Sequence, residues 1–192
     1  NEGMGNVEVA HILTMVDGHY LAQRTTVHDF FDLTKVPANL KSKPLYIHLD
    51  MSVSGDKTGI AGTWIKDKYV SALNESASKS LFYRVAFSVA IKAPKGAQVS
   101  FEKNKQFIYW LRDQGFKIKK ITSDTYQSAP VLQDLRAHGF DCDIQSVDRL
   151  TGEGKNKICE PYHYFRSTIN DKRVEVYKTE LLTEEVIGLE RL

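Results

Sequence analysis

The chain has 192 residues, of which 42% are apolar and 26% are charged, and its formal net charge is +2. This length allows one substantial hydrophobic core, and a single domain is the expected organisation. The sequence contains neither a long uninterrupted apolar run nor a charged-then-apolar leader, so neither a membrane span nor a signal peptide is predicted. The cysteines, Cys142 and Cys159, fit no zinc-ligand pattern and indicate packing residues in a reducing, intracellular compartment.

Residues 1–43 are predicted to form a lead-in segment that precedes the domain. Asp17-Gly18 lies between apolar stretches and favours a hairpin turn there. No catalytic or metal-binding spacing is found in this segment.

The most informative stretch follows at residues 44–65. Apolar and polar residues alternate from Leu45 to Ser52, which predicts a strand with Asp50 on its polar face. An acid in such a strand needs a cationic partner, which is either a metal ion or a structural lysine or arginine. A turn and a returning strand at Thr58–Ile65 are predicted next, followed by a loop over Lys66–Ser80 with a strand fragment at Tyr69–Leu73.

A third strand, Leu81–Ile91, completes a predicted antiparallel meander. Ser100 is positioned to cap a helix that ends at Gly115. The strand Phe116–Ser123 then leads directly into Asp124. Sites in α/β sheets gather beyond the carboxyl ends of such strands, although an aspartate that binds loop amides is the alternative interpretation of Asp124.

The rest of the chain continues the α/β pattern. Ser128 is predicted to cap a helix that ends at Gly139, and the strand Phe140–Val147 should pair in parallel with the preceding strand. The last predicted elements are a helix from Pro161 to about Ile169, a short strand at Arg173–Tyr177 and an amphipathic helix at Thr179–Leu192.

This order of elements predicts an α/β chain with a ribonuclease H-like fold, in which helices flank a mixed central sheet. In that fold the first strand pairs with the strand after the first helix, which brings Asp50 and Asp124 together. Adjacent carboxylates repel each other unless cations neutralise them, and two Mg²⁺ or Mn²⁺ ions suit such oxygen ligands. The chemistry predicted for the pair is two-metal hydrolysis of a phosphodiester bond.

Basic residues are in local excess between Lys92 and Lys120, as on a surface that faces a polyanion or on a solvated helix face. The predicted DNA contacts are Lys57, Lys117, Lys119, Lys120 and Arg149. The Gly154-Lys155 pair is not a Walker A loop, because the required first glycine and the following Ser or Thr are missing.

Three stretches, IHLDMSVSGDKTGIA, AIKAPKGAQVSFEKNKQFIYWLRDQGFKIKKITSDTYQSAPVLQDLRAHGF and IQSVDR, resemble the nuclease domain of the large terminase subunit of tailed bacteriophages, which is related to the herpesvirus terminase nuclease. The resemblance covers residues 44–192 and implies an endonuclease that cuts concatemeric DNA during genome packaging. Asp50 and Asp124 match the first and second metal ligands of that family. The implied partners are double-stranded DNA, the terminase ATPase domain, the small terminase subunit and the portal, at the viral procapsid in the host cytoplasm.

The sequence departs from this family at its end. A third acid usually follows the last helix, and the chain stops at Leu192 before such a segment, so the domain is expected to lack its C-terminal end. Asp171, Glu175 and Glu180 are conceivable substitutes, although a surface acid is the simpler interpretation of each. The alternatives to a terminase are another ribonuclease H-like nuclease, such as a resolvase or transposase, and a non-catalytic DNA-binding module of the same fold.

Overall fold

The computed structural model describes residue 31 and the ranges 33–36, 38–52, 57–70, 79–92, 99–124, 128–147, 150–151, 158–176 and 184. Its elements in chain order are a 3-10 turn at Leu33–Lys35, α1 (Ala38–Lys41), β1 (Leu45–Asp50), β2 (Lys57–Val70), β3 (Lys79–Lys92), α2 (Phe101–Asp113), β4 (Ile118–Ser123), α3 (Ala129–Ala137), β5 (Cys142–Ile144), β6 (Leu150–Thr151), β7 (Ile158–Cys159), α4 (Glu160–Asn170) and β8 (Val174–Glu175).

Six strands form one mixed sheet in the order β5-β4-β1-β2-β3-β8, and β6 pairs with β7 separately. The first three strands are antiparallel to one another, whereas β4 lies parallel beside β1 and β5 lies parallel beside β4. The predicted α/β architecture, a mixed central sheet flanked by helices, is therefore confirmed. The predicted antiparallel meander and parallel strand–helix–strand unit are both present.

The loop predicted over Lys66–Ser80 is wrong in its first part, because β2 continues to Val70. Residue by residue, β2 pairs with β3 as far as Val70 opposite Lys79. Pairing to a long partner strand satisfies the backbone groups of this polar segment, and sequence alternation alone does not reveal such a partner. Two register shifts, between Gly62 and Thr63 and between Ile65 and Asp67, accommodate the extension.

One face of the sheet is packed against α2 and α3. Leu45, Ile47 and Leu49 of β1 are buried on this face, as the alternation predicts. The helices contribute to the same core with Phe107, Ile108 and Leu111 from α2 and Val131, Leu132 and Leu135 from α3. The polar residues of β1 therefore lie on the opposite face, which is more open to solvent.

The predicted helix starts are correct, although one cap works differently. Ser100 precedes α2, and its side chain accepts a hydrogen bond from the Lys103 amide, as expected of an N-cap. Ser128 precedes α3 but makes no capping bond, because its hydroxyl lies 2.7 Å from the Ser123 hydroxyl instead. The predicted helix at Thr179–Leu192 lies outside the described residues except for Glu184.

None of the helices in the described parts of the chain combines the length and the apolar composition that a bilayer crossing requires.

At one edge of the sheet, β8 is joined to its neighbours by an ionic cluster. Glu175 accepts two hydrogen bonds from the Arg84 guanidinium, at 2.8 and 3.0 Å, and one from Lys66 at 2.9 Å. The Arg84 hydrogen bonds, assisted by Lys66 and opposed by partial burial, lower the pKa of Glu175 to about 2. The cluster therefore stabilises the short β8 strand against β3 while this carboxylate is ionised.

Gly62 is required by an aromatic ring on the neighbouring strand. A Cβ atom at Gly62 would lie 2.5 Å from Cε1 of Phe87. This ring is buried and contacts Phe31 and Phe107 at centroid distances of 5.4 and 5.8 Å, so it has no room to move.

We therefore expect Gly62→Ala to lower the free energy of unfolding by about 1–3 kcal/mol, as overpacking of a core does. The matched control is Gly59→Ala on the same strand, where a new Cβ makes an ordinary contact of 3.7 Å with Asp50. Urea denaturation of both variants checks the prediction. Equal stability of the two variants would contradict it.

A second prediction concerns the pH dependence of stability. The lowered pKa of Glu175 corresponds to about 3 kcal/mol of the free energy of unfolding before solvent screening of the charges is considered. Because Lys66 is exposed, we expect a contribution of about 1–2 kcal/mol. Because the folded-state pKa is lowered, this stabilisation is present above about pH 4.5 and is lost as the pH falls toward 2.

Glu175→Gln should therefore lower the free energy of unfolding at pH 7 by that amount, and the difference from the unmodified chain should shrink by more than half at pH 3. The control is Asp113→Asn, which removes an exposed carboxylate 3.8 Å from Arg112 and should change little at either pH. A difference for Glu175→Gln that stays constant from pH 7 to pH 3 would refute the electrostatic explanation.

Candidate functional site

The register of β1 and β4 places Asp50 and Asp124 side by side. The last pair in this parallel ladder is Leu49 opposite Ser123. Asp50 is the last residue of β1, and Asp124 directly follows the last residue of β4. Neighbouring strands lie about 4.8 Å apart, and residues at equal positions point to the same face. Both carboxylates therefore stand at the carboxyl end of the sheet, where the topology of α/β proteins favours binding sites.

The electrostatics of His48 support this placement. Burial lowers the pKa of His48, while Asp124 and Asp50 act in the opposite direction. Because both carboxylates act on one imidazole, both lie within electrostatic range of it. The arrangement therefore concentrates negative charge around a half-buried ring.

The two aspartates differ in their exposure. Asp50 is exposed, whereas Asp124 is half-buried, and its Oδ1 atom is buried without a hydrogen-bond partner among the described residues. An unsatisfied buried carboxylate oxygen is costly, and coordination of a cation is one way to satisfy it. The donor set, carboxylate oxygens on adjacent strands, fits Mg²⁺ or Mn²⁺.

Hydrogen bonds from both neighbouring strands anchor the end of β1. The buried Ser123 hydroxyl donates to the Leu49 carbonyl at 2.6 Å and lies 2.7 Å from the Ser128 hydroxyl. On the other side, the Thr58 hydroxyl donates to the Ser52 carbonyl at 3.0 Å and accepts from the Ser52 amide at 3.1 Å. The backbone is therefore held by hydrogen bonds on both sides of Asp50, at Leu49 and at Ser52.

The space beside Asp50 is not filled by a side chain from β2. Gly59 lies opposite Asp50, and Ala61 lies opposite His48. The β2 residues beside this part of β1 are therefore among the smallest side chains.

His48 and Thr122 are residues of the site that the sequence interpretation did not single out. They are directly opposite in the parallel ladder, and His48 Nδ1 lies 2.8 Å from Thr122 Oγ1. Each precedes its aspartate by two positions and so shares its face. The alternation that identified Asp50 contained this signal for His48, but the partner is visible only once the register is known.

The predicted DNA-contacting lysines lie at different ends of the sheet. Lys57 is the first residue of β2, two positions before Gly59. Because Gly59 lies opposite Asp50, Lys57 is at the same end of the sheet as Asp50. Lys117 and Lys119 are exposed at the opposite end of β4. Lys120 is within 3.4 Å of Asp141 and 3.6 Å of Asp143. Arg149 lies outside the described residues.

The candidates for a third acid are not brought to the pair by the structure. Glu175 is bound to Arg84 and Lys66 on β8, with β2 and β3 between it and β1. Asp171 pairs with Arg173 at 2.9 Å, and Glu180 lies outside the described residues. Within the described ranges, no group of three or more His, Cys, Asp or Glu side chains is arranged to hold a metal ion.

No protein-family model matches the chain, and no curated protein matches it either. Among solved structures, the chain is similar to the crystal structure of the HK97 bacteriophage large terminase, with 13% sequence identity and a TM-score of 0.45. The similarity covers 71% of this chain and 30% of that chain.

Proposed function

We propose that the chain is a metal-dependent DNA endonuclease whose Asp50 and Asp124 hold two Mg²⁺ or Mn²⁺ ions. The observation that carries the proposal is the position of Asp50 at the end of β1 and of Asp124 directly after the end of the adjacent parallel strand β4. The buried Oδ1 of Asp124, which has no hydrogen-bond partner among the described residues, adds to it, since a cation would satisfy this oxygen. The strand order, with β4 and β5 added in parallel beside β1, supports a ribonuclease H-like fold.

The roles of the residues follow from their surroundings. When bound, the ions supply positive charge that stabilises the attacked phosphodiester and favours deprotonation of the attacking water. Asp124 would bind the ions through a half-buried carboxylate. Asp50 is the more exposed ligand, and we propose that the DNA backbone approaches from its side, where the small residue Gly59 lies opposite it.

The more specific proposal, a nuclease of viral genome packaging, rests on the resemblance of the sequence stretches around Asp50 and Asp124 to phage large terminases. In that role the substrate is concatemeric double-stranded DNA. The partners are the terminase ATPase domain, the small terminase subunit and the portal, at the procapsid in the host cytoplasm. Another ribonuclease H-like nuclease, of the resolvase or transposase type, is the enzymatic alternative.

A non-catalytic DNA-binding module is the second candidate function. The observation that favours it is that Asp50 and Asp124 have no third acid grouped with them in the part of the chain that the structure describes. Manganese-dependent cleavage distinguishes the two functions directly.

The nuclease proposal predicts that the chain nicks supercoiled plasmid in the presence of Mn²⁺. Asp50→Asn and Asp124→Asn should each reduce the rate by at least about 100-fold, the upper end of the loss seen when an outer-shell partner of a metal site is removed. The matched control is Asp143→Asn, an exposed aspartate on the neighbouring strand, which should retain the rate.

Cleavage at full rate by both Asp50→Asn and Asp124→Asn would eliminate the assignment of these ligands. Absence of manganese-dependent nicking by the unmodified chain, together with retained DNA binding, would favour the non-catalytic module.

The positions of the lysines predict unequal roles in DNA binding. Lys57 is at the end of the sheet that carries Asp50. Lys117 is seven residues before Asp124, about 23 Å away along an extended strand. A duplex bound at the acid pair would have to continue for about seven base pairs along β4 to reach Lys117.

Lys57→Ala should therefore weaken binding of a six-base-pair duplex, which is too short to reach Lys117 from the acid pair, and reduce the slope of log affinity against log salt by about one. Lys117→Ala is the matched control and should leave that slope unchanged with the short duplex. Fluorescence anisotropy in the Asp124→Asn background, which prevents cleavage, provides the measurement. A larger effect for Lys117→Ala would reverse the proposed orientation of the DNA.

A further inference from the structure

We propose that His48 and Thr122 form a positioning pair, which holds the carboxylates of Asp50 and Asp124 at the separation needed to share a divalent cation. This inference rests on the proposed role of the two aspartates as metal ligands. It assigns a role to two residues that do not themselves ligate the metal.

The pair connects the two strands that carry the aspartates. His48 and Thr122 are opposite each other on β1 and β4, two residues before Asp50 and Asp124. Both side chains are half-buried and lie on the face that carries the acids. Their 2.8 Å hydrogen bond is therefore a direct side-chain link between the two strands on the face of the site.

The backbone ladder between β1 and β4 ends where the acids begin. The last residues paired between β1 and β4 are Leu49 and Ser123. Among the described residues that follow, the two strands share no further backbone pair that would resist the repulsion of two neighbouring carboxylates. A cross-strand side-chain bond near the end of the ladder opposes their separation.

The ends of β1 and β4 are linked by side-chain hydrogen bonds on both faces of the sheet. The buried Ser123 hydroxyl binds the Leu49 carbonyl on the core side, and the His48–Thr122 bond lies on the acid side. Removal of the second link leaves the core intact but frees the acid face. The pair should therefore affect metal binding more than folding.

The bond needs a hydroxyl at position 122 in either direction. The Thr122 hydroxyl lies 2.8 Å from His48 Nδ1 and 3.5 Å from the Ile47 carbonyl, so it either donates to Nδ1 or accepts from Nδ1–H while it donates to the carbonyl. A serine at position 122 retains the hydroxyl in both cases, whereas a valine does not.

The experiment measures the Mn²⁺ dissociation constant by isothermal titration calorimetry, with the thermal midpoint of each metal-free variant recorded in parallel. Thr122→Val should weaken Mn²⁺ binding by about tenfold, as loss of an outer-shell partner typically does. Thr122→Ser should restore binding to within about twofold. The matched control is Thr63→Val, which removes a half-buried hydroxyl from the same face of β2 and should leave the dissociation constant unchanged.

A double-mutant cycle tests whether the two residues act through their mutual bond. His48→Phe alone and His48→Phe combined with Thr122→Val should weaken Mn²⁺ binding to the same extent. Effects that multiply in the double variant would overturn the proposal. A lower thermal midpoint with an unchanged dissociation constant for Thr122→Val would also overturn it, because the bond would then serve folding alone.

The failure of this inference is distinguishable from the failure of the proposed function. If the unmodified chain does not bind Mn²⁺, or if Asp124→Asn does not abolish its binding, the metal site and the positioning pair are both refuted. If binding depends on Asp50 and Asp124 but is the same in Thr122→Val, the positioning pair alone is refuted.

Discussion

The parallel pairing of β1 with β4 is the constraint on which the candidate site depends. Asp50 and Asp124 are separated by 74 positions in the chain, and only this ladder brings them to the same end and the same face of the sheet. A shift of one residue in the pairing would turn one carboxylate toward the core, where Leu49 and Ser123 now lie. The burial of Leu45, Ile47 and Leu49 against the helices therefore also determines which residues face the site.

The cost of this arrangement is the repulsion between two neighbouring acids. The structure resists it with hydrogen bonds close to the acids: Ser123 to Leu49, Thr58 to Ser52, and His48 to Thr122. A divalent cation would offset the remaining repulsion and satisfy the buried oxygen of Asp124.

Much of the fold could be predicted from local patterns. Alternation identified β1, and the cap at Ser100 and the stop at Gly115 bounded the first long helix. The extension of β2 to Val70 was missed because its polar residues are held by pairing with β3, which is a long-range effect. The role of Ser128 was misjudged for a similar reason, since its hydroxyl binds Ser123 on another element. The His48–Thr122 contact could not be predicted without the register, and the DNA contact predicted for Arg149 lies outside the described residues.

The most direct measurement of the central claim is the anomalous diffraction of crystals soaked in Mn²⁺. The account predicts anomalous density between the carboxylates of Asp50 and Asp124, with an oxygen of each within about 2.3 Å of an ion, and loss of that density in Asp124→Asn crystals. Well-ordered carboxylates with no density between them at millimolar Mn²⁺, or density bound elsewhere and unaffected by Asp124→Asn, would contradict the account.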